Sequence, residues 1–419
     1  MDPLLFAIIV GCGVAFLTAW GVGAADLANI MSTTLSSKAV SVRVAILIAI
    51  IFEIAGAMFG GTEVSHTLQY DIINTTQISD PRVFIHGMLA VSLAGATWML
   101  TASALGLPVS ITNAIVGALV GLGWSVFGIN AIHWPHVIHI AISWITSPLL
   151  SGLIAYLIFT HIQKQIFMKT RPDRYMDRHF PFYCFVVGII FCHMLLFKML
   201  HHYDINIGHN ASLALSIISG ALMAVFGIYL GKNHPSPEVK DRHAAFHYVE
   251  KKFGILMGFT ACAMVFAHGS NDVPIAMGPL INIVNTFNKA DIKFIHLPYL
   301  THSLLLFGSI SVIIGLLMYG RKVIATVGSG ITALTPSRAF AATIAAAGTV
   351  LVATSTGIPI SATQTLVGGV LGVGLARGIG ALNLTVVRNI FMSWCITIPA
   401  ASLLAIGYFY VLDNFVTVF

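Results

Sequence analysis

The chain has 419 residues, 57% of them hydrophobic and only 9% charged. Soluble domains carry about 25% charged residues, so the composition excludes an ordinary water-soluble globule and calls for a bilayer. Twenty-one basic against fifteen acidic residues leave a net charge of +6. No basic stripe of the nucleic-acid-binding kind is present, and loops that fix orientation across a membrane account for the excess.

The opening MDPLLFAIIVGCGVAFLTAWG has no basic n-region and no small-residue cleavage site, so it reads as a first span and not as a signal peptide. Further apolar stretches lie near 42–68, 84–104, 109–127, 137–160, 182–200, 211–230, 254–287, 298–319, 339–354, 360–376 and 386–412. A crossing needs about 20 residues, which predicts an all-α integral membrane protein with about ten to twelve spanning or half-spanning helices. His133, His136 and His139 surround Trp134-Pro135 at the entry to one stretch and read as interfacial residues, not a metal cluster. Cys12, Cys184, Cys192, Cys262 and Cys395 are scattered, odd in number and without a CxxC pair, so they read as small apolar helix residues.

Two polar linkers interrupt the pattern. Residues 161–180 carry Lys164, Lys169, Arg171, Arg174 and Arg178, and residues 232–252 carry Lys232, Lys240, Arg242, Lys251 and Lys252. Between them, 201–210 has no Lys or Arg. The positive-inside rule puts both linkers in the cytoplasm, with 201–210 and the N-terminus outside, in a multi-pass inner or plasma membrane protein.

One stretch occurs twice. SALGLPVSITNAIVGALVGLG at 103–123 aligns without a gap to TSTGIPISATQTLVGGVLGVG at 354–374, with eight of 21 positions identical, among them Pro108/Pro359, Ser110/Ser361 and Thr112/Thr363. A shorter element repeats too: GAADLA at 23–28 and GSNDVP at 269–274. Such pairs point to a transporter made of two repeats, here 1–160 and 253–419, joined by 161–252 with its two basic loops and a helical hairpin. The Arg321-Lys322 turn aligns with Glu63-Val64, which the charge count places outside, so the repeats are expected to be inverted.

The chemistry follows from the pairs. Asp26 and Asp272 stand at matching positions on what read as broken helices, where each carboxylate is costly in hydrocarbon. In each half a Pro-x-Ser-x-Thr helix start follows, and helix starts offer free N–H groups and a positive dipole end that suit an oxyanion. Two carboxylates near a bound anion repel it, so Na⁺ or H⁺ must supply compensating charge. A pure cation site is the other reading of the Asp pair. Glu53 aligns with Val312 and has no twin; an unpaired intramembrane carboxylate points to an ion or proton site. His268 and His302 flank the second Asp and read as satisfied polar residues. Gly117, Gly121, Gly368 and Gly372 have the spacing of close helix packing.

These motifs resemble those of the inorganic phosphate transporter (PiT) family, sodium- or proton-coupled carriers of phosphate. GAADLANIMSTTLSSKA at 23–39 and GSNDVPIAMGPL at 269–280 are similar to its Gly-x-Asn-Asp-x-Ala-Asn-Ala element, and PVSITN at 108–113 and PISATQ at 359–364 to its Pro-Val-Ser-Thr-Thr element. The resemblance implies substrate contacts by Asp26, Ser110, Thr112, Asn113, Asn271, Asp272, Ser361, Thr363 and Gln364. It implies coupling-ion contacts by Asp26, Asn29, Glu53 and Asp272, with Asp26 and Asp272 as Na⁺ ligands. Ala25 stands where the family has Asn, Ile111 and Ala362 replace Thr, and Pro274-Ile275 interrupt the second Ala-Asn-Ala.

The sequence therefore predicts two inverted-topology repeats with broken helices that import inorganic phosphate with Na⁺ or H⁺ by alternating access around a midplane site. Partners are the anion, the coupling ion, the bilayer and a possible second copy; no other cofactor and no nucleic acid is expected. A permease for sulfate or another oxyanion is the nearest rival, and a metal–phosphate complex is a variant cargo. An anion channel fits the paired carboxylates poorly. An enzyme would need an asymmetric acid, base or nucleophile set, which a nearly symmetric site lacks.

Overall fold

The computed structural model describes residues 3–74, 78, 80–105, 109–192, 208–233, 241–289, 300–327 and 331–415. Pro108 and residues 201–207 of the expected outer loop lie outside the described residues. The chain is helical from end to end. Helix α1 (Pro3–Val22) continues through a π-helical turn (Gly23–Leu27) into α2 (Ala28–Ser36), and α3 (Val42–Gly60), α4 (Thr62–His66) and α5 (Pro81–Leu105) follow. A short helix, α6 (Ile111–Leu122), leads to the long α7 (Trp134–Ile162). Then come α8 (Pro172–Cys192), α9 (His209–Asn233), the 48-residue α10 (Arg242–Lys289), α11 (Leu300–Val327), α12 (Pro336–Ser355), α13 (Ala362–Arg377) and α14 (Leu384–Phe415). Among the described residues, nine helical stretches are long and apolar enough to cross a membrane, and Ile111–Phe127 is a shorter apolar one.

The two halves interlock through glycines, each meeting its partner helix at backbone distance. A Cβ at Gly23 would lie 1.8 Å from the Val312 carbonyl oxygen, and one at Gly269 would lie 2.3 Å from that of Glu53. Gly56 meets the Phe266 carbonyl, and Gly315 meets that of Trp20. Gly117 and Gly121 of α6 lie on Ile398 and Ser402 of α14; Gly368 and Gly372 of α13 lie on Pro148 and Gly152 of α7. Every contact recurs with the halves exchanged, which is the pattern of a pseudo-two-fold relation. The Glu53/Val312 correspondence read from the sequence holds in this packing. Small residues allow such close approach where no hydrophobic effect drives helices together in lipid.

The helix starts have local causes. Ser110 caps α6 and Ser361 caps α13, each accepting the N–H three residues on, from Asn113 (3.5 Å) and Gln364 (3.1 Å). The two segments after these helices match as well. Gly128 (φ 90°) and Gly378 (φ 104°) take a left-handed conformation open to glycine, and each precedes a 3₁₀ turn and a long helix.

Two expectations are corrected. The Asp-bearing segments are not broken: Asp26 lies in the π turn of a continuous rod, and Asp272 lies within α10, which runs on through Pro274 and Pro279. A π turn absorbs one extra residue without ending the helix, and a proline only removes one helical N–H where its neighbours hold the rod. Residues 321–322 are not a turn but lie inside α11, whereas Glu63 and Val64 lie in α4. The breaks fall at Ser110 and Ser361 alone of the four motif positions.

Helices α8 and α9 pack as a pair, with Ser219 Oγ donating to the Gly188 carbonyl (3.0 Å). The two basic linkers touch: Lys252 Nζ lies 3.1 Å from Asp177 Oδ1, and Tyr248 donates to the same oxygen at 2.7 Å. Beside them, the Arg171 guanidinium hydrogen-bonds buried Asp173 and holds its carboxyl below the usual carboxylate range.

The glycine contacts are testable. Gly23→Ala pushes a methyl into the backbone of α11 and is expected to cost about 1–3 kcal/mol, as overpacking does. Gly407→Ala, with nothing within 4 Å, should leave stability unchanged. Thermal unfolding of the purified protein in detergent checks both; equal melting of the two variants would remove the interlock from the account.

Candidate functional site

The site is assembled from four segments that the sequence keeps far apart. Asp26, 1% exposed, reaches from the π turn to both broken-helix starts. Its Oδ2 accepts the Ile111 N–H (3.1 Å), the first N–H of α6, and its Oδ1 accepts the hydroxyl of Thr363 on α13. A carboxylate thus takes the place at a helix N-terminus where unpaired N–H groups and the helix dipole favour negative charge.

The second half is arranged differently. Asn271 Nδ2 donates to the Ile360 carbonyl (2.6 Å) and to Asp272, and its Oδ1 accepts the Ile360 N–H (3.2 Å). Thr112 donates to the same Ile360 carbonyl at 2.9 Å. Asp272 does not reach a helix start. Its Oδ2 lies 3.0 Å from His268 Nε2, near enough for an ion pair though off the line of a good hydrogen bond. The other ring nitrogen, Nδ1, lies 2.8 Å and 3.0 Å from the two carboxylate oxygens of Glu53. Glu53 and His268 are both fully buried.

The departure from two-fold symmetry has a sequence cause. His268, Asn271 and Glu53 correspond to Val22, Ala25 and Val312. The polar partners that turn Asp272 toward α3 are missing from the first half, so Asp26 is left to the helix starts. Asp26, Ser110, Thr112, Asn271, Asp272, Ser361 and Thr363 are therefore brought together, and Glu53 joins them through His268. Asn29, Asn113 and Gln364 are buried beside them, but among the described residues Asn29 Oδ1 and Nδ2, Asn113 Oδ1 and Gln364 Oε1 have no hydrogen-bond partner.

Sequence reasoning missed the bridging place of His268. It reads as a satisfied polar residue, which it is, but its two partners are carboxylates of the site. The signal was available: His268 lies four residues before Asp272, hence on the same helix face.

Two cavities adjoin the cluster. One of about 30 Å³, room for a single water-sized guest, is lined by Asn29, Ser32, Thr33, Thr332 and Thr363 with apolar neighbours such as Leu334. The other, about 630 Å³, lies between α7, α13 and α14 and is lined by Asn113, Gln364, Trp144 and Trp394 among apolar walls. Three acid groups and one imidazole in a buried cluster carry at most one positive charge among them. Unbalanced charge at such depth costs several kcal/mol per ion, so protons or bound cations must make up the difference.

Comparison with known proteins gives the family. The model of the phosphate transporter family matches residues 22–405. A Haemophilus influenzae protein that carries the name phosphate permease is 42% identical over 398 residues, covering 95% of this chain and 94% of its own. The chloroplastic inorganic phosphate transporter 2-1 of Arabidopsis thaliana is 35% identical over 416 residues, covering 94% of this chain and 70% of its own. Among solved structures, one described as the sodium-dependent phosphate transporter superposes with a TM-score of 0.87 at 32% identity, covering 98% of this chain and all of the other. An all-helical membrane chain with two exchanged sets of helix contacts, paired Ser-capped helix starts and a match over most of its length belongs to the phosphate transporter family.

Proposed function

We propose that this chain moves inorganic phosphate across the membrane by symport with Na⁺ or H⁺, alternating access around the Asp26 cluster. The observation that carries this reading is the position of Asp26. Its carboxylate is held by a helix-start N–H of one half and a threonine hydroxyl of the other, which is the donor set an oxyanion would use. Ser110 and Ser361 accept a backbone N–H as caps and each keeps a hydroxyl proton to donate. Phosphate seated among Ser110, Thr112, Asn113, Asn271, Ser361, Thr363 and Gln364 would compete with Asp26 for these donors. The surplus of buried carboxylates then requires a cation to travel with the anion.

The small cavity beside Asp26 suits that cation. Asn29 offers an unengaged amide oxygen there, next to the hydroxyls of Ser32, Thr33 and Thr363. Hard monovalent ions take such oxygen ligands. Glu53 and Asp272, tied by one histidine, are the further candidates for cation or proton. The sodium dependence named for the related structure favours Na⁺.

The two repeats are assigned to 1–160 and 253–419, with 161–252 between them. Both basic linkers face the cytoplasm and the N-terminus lies outside, in an inner or plasma membrane. A homodimer is compatible with the sparsely buried faces of α7 and α14.

Asp26→Asn and Asp272→Asn are each expected to abolish concentrative phosphate uptake while protein level and gel-filtration profile stay normal. Accumulation at the wild-type level in either variant would defeat the paired-carboxylate site. Ser110→Ala and Ser361→Ala remove a hydrogen bond to a charged group, worth about 1.5–3 kcal/mol, so phosphate affinity should fall roughly ten- to a hundredfold. Ser212→Ala, at the start of α9, should not change it. Equal phosphate affinities of all three variants, by equilibrium binding, would take the helix starts out of the site.

A further inference from the structure

Outside the central cluster, two arginines converge on one backbone carbonyl. Arg377 ends α13, and Arg338 lies in the first turn of α12. Arg377 Nη1 donates to Thr332 Oγ1 (2.7 Å) and to the Ala333 carbonyl (3.4 Å), and Arg338 Nη1 donates to that same carbonyl (2.9 Å). Among the described residues no carboxylate forms an ion pair with either. Glu250, the acid whose charge Arg338 senses, is held by Ser337: Oε2 accepts its N–H (2.8 Å) and Oε1 its hydroxyl (2.9 Å). Two guanidiniums on one oxygen repel each other, and an anion between them relieves that repulsion. Each has five N–H donors, and among the described residues the hydrogen bonds of both leave from Nη1.

Their position matters more than their charge. Thr332, which holds Arg377, also lines the small cavity, together with Asn29 and Thr363. Thr363 is the residue that bonds Asp26. Glu250 places the pair on the face of the second basic linker, which touches the first.

We propose that Arg338 and Arg377 form a second phosphate-binding point, outside the Asp26 site and beside the second basic linker. The inference rests on the reading of this chain as a phosphate carrier. Paired guanidiniums fit the phosphate of a free anion and of a lipid headgroup alike.

The test uses the wild-type protein in neutral detergent. Phenylglyoxal modification of individual arginines is followed by mass spectrometry, with inorganic phosphate, with phosphatidylglycerol, or with neither. Inorganic phosphate should slow modification of Arg338 and Arg377 by on the order of tenfold, as a charge-assisted hydrogen bond implies, and leave exposed Arg174 unchanged. Equal rates with and without phosphate, or protection by phosphatidylglycerol alone, would overturn the proposal. In proteoliposomes, Arg377→Gln and Arg338→Gln should raise the half-saturating phosphate concentration about tenfold on the basic-linker face only. No change on that face would also overturn it. A wild-type protein that moves phosphate but leaves both arginines unprotected refutes the outer point alone. One that does not move phosphate at all refutes the carrier reading.

Discussion

A carboxylate shared by two helix starts is the contact from which the rest of the structure can be understood. Asp26 accepts the first N–H of α6 and a hydroxyl of α13, and so closes the centre of the protein from the first half onto the second. The contact needs both short helices to begin at the same depth. Their serine caps fix where they begin, and the glycine contacts of α6 on α14 and α13 on α7 fix where they lie. Each short helix packs on a helix of its own half, Ile115 on Gly95 and Gly369 on Ala342, and on the long helix of the other half. A chain built this way has its polar centre where the halves meet, and relative movement of the halves acts directly on that centre.

The centre is nearly symmetric in backbone and distinctly asymmetric in chemistry. One Asp faces helix N–H groups and the other faces an imidazole that a glutamate shares. In the proposed carrier, a symmetric backbone would let the same donors face either side of the membrane in turn. In the same proposal, asymmetric side chains would let the two Asp serve differently, one among anion donors and one in a cation- or proton-holding group. Val22, Ala25 and Val312 against His268, Asn271 and Glu53 are enough to produce that division.

Much of this was legible in the sequence because it depends on local chemistry. The Pro-x-Ser-x-Thr pairs specify helix starts by capping, and the repeated Asp marks itself by its cost in hydrocarbon. The Glu53/Val312 correspondence also followed from alignment. What was not legible depends on contacts across the fold. Nothing near Asp26 in the chain says whether the helix breaks or takes a π turn; the choice is made where Gly23 meets the backbone of α11. The segment around Asp272 reads as a broken helix, yet α10 continues through Pro274 because its neighbours hold both sides of it. His268 becomes part of the site only because Gly269 lets α10 approach Glu53 at backbone distance. Arg321-Lys322 was misread as a turn because a basic pair inside a helix resembles a loop in a hydropathy pattern.

The central claim is that cation and anion are moved together. Labelled phosphate uptake into proteoliposomes, with an imposed Na⁺ or pH gradient and with excess arsenate or sulfate as competitor, tests it most directly. The account predicts accumulation above the external concentration that collapses when the gradient is dissipated, inhibited by arsenate and not by sulfate. An ionised carboxylate beside the anion accepts the proton of phosphate or arsenate but only repels sulfate, which has none to give. Downhill flux indifferent to both gradients, or strong inhibition by sulfate with none by arsenate, would contradict it.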